Sequence, residues 1–306
     1  MSQLTAYGAA DGLVRVYPAS TSDAAARRRT PALVWAHGGG FVAGDLDMPE
    51  AEWVSRSLAA RGIAVVSVDY RLVAADGSGR LPAGSDDVLA AWRWTLEHAD
   101  ELGIDPGCVT IGGASAGANL VAGAVLRMLG EADDAPPASL PAGVFLAYPT
   151  LLAVQPAPDA ALRALLDANP AADRFGPAAV RGMYETYLGG PLDEAPLFAV
   201  PGLAAASDLA GFPPVLMING EADELRVSGE VFAATLVEAG VDTTCVVEPG
   251  TEHGHLNRPG EPAASASIER IVAWFASLET GVARPTRPAD LHHHRLTAVT
   301  TEGITS

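Results

Sequence analysis

Ile111-Gly112-Gly113-Ala114-Ser115-Ala116-Gly117-Ala118-Asn119-Leu120, IGGASAGANL, sets one serine among glycines and alanines. The apolar run CVTIGG (108–113) leads into it, and AGANLVAGAVLRML (116–129) leaves it with helical periodicity. A buried strand that turns abruptly into a helix is the repeating unit of a parallel α/β sheet. The glycines allow the turn because a side chain there would collide with the adjoining strand and helix.

Working outward, further strand-like runs occur at 32–37 (ALVWAH), 63–70 (IAVVSVDY), 143–149 (GVFLAYP), 215–220 (VLMING) and 243–249 (TTCVVEP). They are nearly continuous in apolar residues, as strands covered on both faces must be. Helical patterns fall between them at 50–60, 85–99, 116–129, 226–239 and 263–278, the second opened by the capping cluster Ser85-Asp86-Asp87. Strand, helix, strand along the chain predicts right-handed crossovers and an α/β sandwich, with two short antiparallel strands near LTAYGAADGLVRVYP (4–18) starting the sheet. Residues 150–201 break the rhythm. They are Pro-rich, partly helical and too long for a plain connection, so they are read as a small helical cap inserted into a catalytic domain of residues 1–279. The stretch 280–306 lacks periodicity and reads as a loose C-terminal tail.

Composition removes several classes of function. With 306 residues, 49% of them apolar, the chain can bury a full core, and its formal charge of −18 argues against nucleic acid as partner. All 19 basic residues are arginine, which excludes Schiff-base, Ser-x-x-Lys and phosphate-loop lysine chemistry. No apolar run approaches the ~18 residues of a membrane span, and the N-terminal residues lack a leader pattern. The expectation is a cytoplasmic protein without stable membrane insertion, with Cys108 and Cys245 as buried free thiols. The three histidines of LHHHRL (291–296) lack fixed ligand geometry, so neither a metal nor another cofactor is expected.

Ser115 fits G-x-S-x-G, a pattern that recurs by chance in roughly one chain in six of this composition, so its context decides. A serine hydroxyl needs a base to take its proton and a third group to orient that base. Glu221-Ala222-Asp223-Glu224 follows the strand at 215–220, and Glu252-His253-Gly254-His255 follows the strand at 243–249. Both loops lie at the sheet edge where open α/β sheets place their sites, and they supply acid and base in the order Ser, Asp, His. Directly after the strand at 32–37 stands His37-Gly38-Gly39-Gly40-Phe41, whose amides can approach an oxyanion unobstructed. Gly38 and Gly39, with Ala116 at the helix start, are the expected N–H donors.

The set HGGGF (37–41), VDYRL (68–72), GGASAGANL (112–120), EADELR (221–226) and EPGTEHGHL (248–256) resembles the hormone-sensitive-lipase-like, bacterial family IV branch of the α/β-hydrolases. The resemblance covers about residues 30–278. It implies the α/β-hydrolase fold, a mostly parallel central sheet flanked by helices, and a serine carboxylesterase acting on short-chain acyl esters. Carried over by position, it implies Ser115 as nucleophile, Asp223 as orienting acid, His253 as base and Gly38, Gly39 and Ala116 as oxyanion donors. Asp69-Tyr70-Arg71 is implied as structural. Family members often pair, so the resemblance allows a homodimer. His255 stands where the family usually has an aromatic residue; it competes with His253, and the alignment of PGTEHG favours His253. Only 36 residues precede His37, which implies a reduced lid, a more open site and cover drawn mostly from 150–201. The same site could run a lyase, dehydratase or cyclase step, and a silent binding protein on this scaffold is a further alternative.

Overall fold

The computed structural model describes residues 5–20, 29–131 and 140–280. The tail and its histidines lie outside them. One sheet of eight strands runs through the described residues: β1 (Tyr7–Ala9), β2 (Val14–Tyr17), β3 (Thr30–Ala36), β4 (Ala64–Val68), β5 (Ile104–Ala114), β6 (Val144–Ala147), β7 (Val215–Ala222) and β8 (Thr243–Glu252). Their order is β1-β2-β4-β3-β5-β6-β7-β8. The first two strands pair antiparallel, as does β2 with β4, and every other pairing is parallel.

The alternation of side chains along each strand builds two cores. In β3, Ala32, Val34 and Ala36 enter one apolar cluster while Leu33 and Trp35 enter the other. Helices α2 (Ala83–Glu97), α4 (Ala116–Glu131) and α7 (Arg226–Glu238) cover the first face. Helices α1 (Pro49–Ala59) and α8 (Pro262–Thr280) cover the second, and a single turn, α3 (Ala99–Leu102), leads into β5. Among the described residues no helix is long and apolar enough to cross a membrane.

Strands β5 and β8 run beyond the expected 108–113 and 243–249, and one helix start differs in kind. Helix α2 starts at Ala83, and Ser85-Asp86-Asp87 lies inside it without capping it. Arginines take these side chains instead. Arg71 makes a fork on Asp87 at 2.8 Å, and Arg127 Nη1 donates to both Ser85 Oγ and Asp86 Oδ1 at 2.8 Å. Each aspartate is thereby paired with a guanidinium, a charge-assisted bond between two ions.

Between β6 and β7 the inserted segment carries α5 (Ala160–Ala168), α6 (Pro177–Leu188) and short 3₁₀ turns at 192–194, 197–199 and 201–203. Asp159 caps α5 by accepting from Leu162 N at 2.8 Å; Pro177 opens α6 and Gly189, at φ +68°, closes it. The segment is fastened to α4 through Asn119, a buried polar residue in a mostly apolar helix. Its buried Nδ2 lies 2.9 Å from Tyr184 Oη, 3.1 Å from the Thr150 carbonyl and 3.2 Å from the Ala199 carbonyl. Asn119→Ala leaves these buried acceptors short of a donor, at a cost of about 1–3 kcal/mol. The expected outcome is a lower Tm and faster proteolytic cleavage within 150–201, measured by limited proteolysis; unchanged cleavage there would contradict the fastening.

Candidate active site

Ser115 sits at the junction of β5 and α4 with φ +52°, left-handed backbone that a non-glycine residue holds only when its surroundings impose it. Both flanking glycines are explained by contact. A Cβ on Gly113 would stand 2.4 Å from the Gly117 backbone, and one on Gly117 would stand 2.3 Å from the carbonyl oxygens of Ala36 and His37. Helix α4 therefore starts pressed against the end of β3, which brings the serine beside the glycine loop.

The loops after β7 and β8 complete a relay. His253 Nε2 lies 2.9 Å from Ser115 Oγ, and His253 Nδ1 lies 2.8 Å from Asp223 Oδ2. A carboxylate only accepts, so Nδ1 carries the proton and Nε2 is left to accept from the serine hydroxyl. Asp223 is fully buried, and its other oxygen accepts from Leu225 N at 3.0 Å. Tyr148 and Phe175 meet the His253 ring edge-on at 5.0 and 4.5 Å.

Neighbouring groups of the same chemistry are committed elsewhere. His255 is buried, with Nε2 2.8 Å from Ser267 Oγ, and burial pushes its pKa down to about 4. Glu221 accepts from Gly250 N at 2.9 Å, tying β7 to β8. Burial, and then the nearby Asp173 carboxylate, raise the carboxyl of Glu224 above its ordinary range. Tyr70 is structural, stacked on His37 at 4.5 Å with its hydroxyl donating to the His37 carbonyl at 2.8 Å. Cys108 and Cys245 are half-buried and not joined in a disulfide, and burial pushes the Cys245 thiol up to about 12. Among the described residues no group of three or more His, Cys, Asp or Glu is placed to hold a metal ion.

The glycine loop corrects one expected donor. The Gly38 N–H points to the buried carboxylate of Glu50, 2.6 Å from its Oε1, so it is not available to a substrate. The amides of Gly39, Gly40 and Ala116 have no acceptor among the described residues. Gly39 (φ +133°) and Gly40 (φ +60°) hold backbone that favours glycine, and a Cβ on Gly39 would overlap the Ala43 carbonyl at 1.8 Å. Gly40 thus replaces Gly38 in the set of free donors. The signal was the third glycine of HGGGF, but sequence alone does not order the three. The inserted segment reaches this loop through Met183, whose sulfur lies 3.5 Å from where a Cβ on Gly40 would stand. Ser115 retains 6% exposure beneath it.

A family model described as the α/β-hydrolase fold matches residues 33–257. The carboxylesterase NlhH of Mycobacterium tuberculosis is 36% identical over 233 residues, spanning 76% of this chain and 68% of that protein. The ethyl acetate hydrolase of Pseudomonas putida is 32% identical over 233 residues, 74% and 66% of the two chains. Brefeldin A esterase, a bacterial homologue of human hormone-sensitive lipase, superposes with a TM-score of 0.73 at 26% identity, covering 91% of this chain and 77% of that one. The chain belongs to the α/β-hydrolase family, in its hormone-sensitive-lipase-like branch. It is a hydrolase of the ester-bond class.

Because His255 refuses a proton until about pH 4 in the folded protein, while the unfolded chain takes it near 6.5, stability present above pH 6.5 is lost as pH falls from 6.5 to 4. His255→Phe removes that titration. The slope of Tm against pH between 7 and 4 should become shallower in the variant, as read by scanning calorimetry, and an unchanged slope would contradict a buried neutral His255.

Proposed function

We propose that this protein is a serine carboxylesterase that hydrolyses short-chain acyl esters through an acyl-enzyme. The observation that carries the reading is the Ser115–His253–Asp223 relay, with steps of 2.9 and 2.8 Å, beside the uncommitted amides of Gly39, Gly40 and Ala116. In the proposed reaction, His253 Nε2 takes the hydroxyl proton as Ser115 Oγ attacks the ester carbonyl. The carbonyl oxygen gains negative charge and is held by the three amides, which are already fixed by the turn and need no reorganisation. Asp223 stabilises the imidazolium and keeps its Nε2 aimed at the serine. His253 then gives the proton to the departing alkoxide, leaving an acyl ester on Ser115. A water molecule, deprotonated by the same nitrogen, attacks that ester and frees the acid.

The short acyl preference is supported by the closeness of Phe175 to His253 and of Met183 to the glycine loop, which limits the room above the serine. It is supported also by the name of the Pseudomonas putida relative, whose substrate carries a two-carbon acyl group. Two cysteines not joined in a disulfide fit a reducing, cytoplasmic setting.

The test is hydrolysis of p-nitrophenyl esters of increasing acyl length. Wild type should turn over acetate to hexanoate best, and Ser115→Ala should lose kcat by on the order of 10⁶-fold. Asp223→Asn should lose about 10⁴-fold, since an amide does not enforce the required tautomer. His253→Gln should abolish turnover while His255→Gln retains it. Activity that survives Ser115→Ala would overturn the serine mechanism, and a folded wild type without esterase activity would favour the lyase or cyclase chemistry.

A further inference from the structure

Glu50 lies in the first turn of α1 and is 1% exposed. Isolating a carboxylate from water is costly, and a well-packed apolar residue in its place would often be neutral or stabilising. Its two oxygens accept from three donors on three different elements. Oε1 takes the Gly38 N–H at 2.6 Å, and Oε2 takes the Tyr148 hydroxyl and Asn257 Nδ2, the latter at 3.1 Å. Asn257 Oδ1 in turn accepts from Glu50 N at 3.1 Å, and the Glu50 carbonyl accepts from Trp35 Nε1 at 3.0 Å. The amide ends of α1 add positive potential at the same place.

Each donor is attached to a different part of the site. Gly38 immediately precedes the free amides of Gly39 and Gly40, and a Cβ on it would fall 3.2 Å from Ser115 Cβ. Tyr148 packs edge-on against His253 at 5.0 Å, and its own backbone is held at φ +35°, a conformation an aromatic residue keeps only under constraint. Asn257 belongs to the 3₁₀ turn His255–Asn257 that directly follows His253 and Gly254. We infer that Glu50 is a positioning residue: from beneath the site its carboxylate fixes the glycine loop, the Tyr148 wall and the histidine loop relative to one another, so that the oxyanion donors and the base meet the same tetrahedral centre. The inference rests on the serine esterase reading above. It also accounts for the Gly38 N–H, which is spent on holding the loop rather than on the substrate. Burial, together with the Glu50 charge, raises the Tyr148 hydroxyl well above its ordinary pKa, so it stays a donor throughout the working range.

Glu50→Gln preserves volume and an acceptor for Gly38, but turns an NH₂ group toward the Tyr148 hydroxyl and the Asn257 amide. Misplacement of reacting groups by an ångström costs about 10²-fold, so kcat should fall by that order while KM changes less than about 3-fold. Phenylboronic acid, which forms a tetrahedral adduct on a reactive serine and puts an oxygen in the donor pocket, should bind more weakly by a comparable factor. Tyr148→Phe, which deletes one donor and keeps the ring, should show the same pattern at smaller amplitude. It carries the test if Glu50→Gln does not fold by near-UV circular dichroism. Folded variants with kcat within about 3-fold of wild type, or with kcat lowered but boronate affinity unchanged, would overturn the positioning role. An inactive wild type would instead count against the esterase reading, so the two failures are separable.

Discussion

The contact between the first turn of α4 and the end of β3 is the constraint on which the site depends. Gly117 lies so close to the carbonyls of Ala36 and His37 that no side chain fits, and Gly113 lies equally close to Gly117. That approach forces Ser115 into left-handed backbone and brings its side chain alongside the loop that continues from β3. The parallel order β3-β5-β6-β7-β8 then delivers the loops bearing Asp223 and His253 to the same edge. The strain at Ser115 is sustained by two apolar cores, one on each face of the sheet.

Around this junction four acidic residues have been given four different tasks by their surroundings. Asp223 is buried and aligned on His253. Glu221 ties two strands through a backbone amide. Glu224 faces Asp173 of the inserted segment, and its carboxyl is shifted toward the neutral form. Glu50 is held beneath the glycine loop by donors from three elements. The chemistry of a carboxylate is the same in each case; burial and partner decide what it does.

Much of this is legible in the sequence itself. Strands β3 to β7 announce themselves because both faces are covered, which demands apolar residues in continuous runs, while β8, at the sheet edge and mostly half-buried, shows only in the shorter apolar stretch CVV (245–247). Ser115, Asp223 and His253 follow from one turn motif and from the order of the strand-end loops. His255 was harder, since it shares its loop with His253: the PGTEHG stretch favours His253, and in space His253 bridges Ser115 and Asp223 while His255 is turned to Ser267. Gly38 misled because three successive glycines are equivalent on paper, while in space one amide faces Glu50 and the next two do not. Glu50 itself carried no signal: an acid in the first turn of a helix ordinarily complements the dipole from the solvent side. Its burial is created by elements far apart in sequence, with Asn257 lying 207 residues away.

The most direct test of the account is to stop turnover of a p-nitrophenyl ester with acid within milliseconds and locate the acyl group by mass spectrometry of the digested protein. The account predicts an acyl adduct on the peptide that contains Ser115, with one acyl group per chain and none in Ser115→Ala. Efficient ester hydrolysis with no adduct at Ser115, or with the acyl group on another residue, would contradict it.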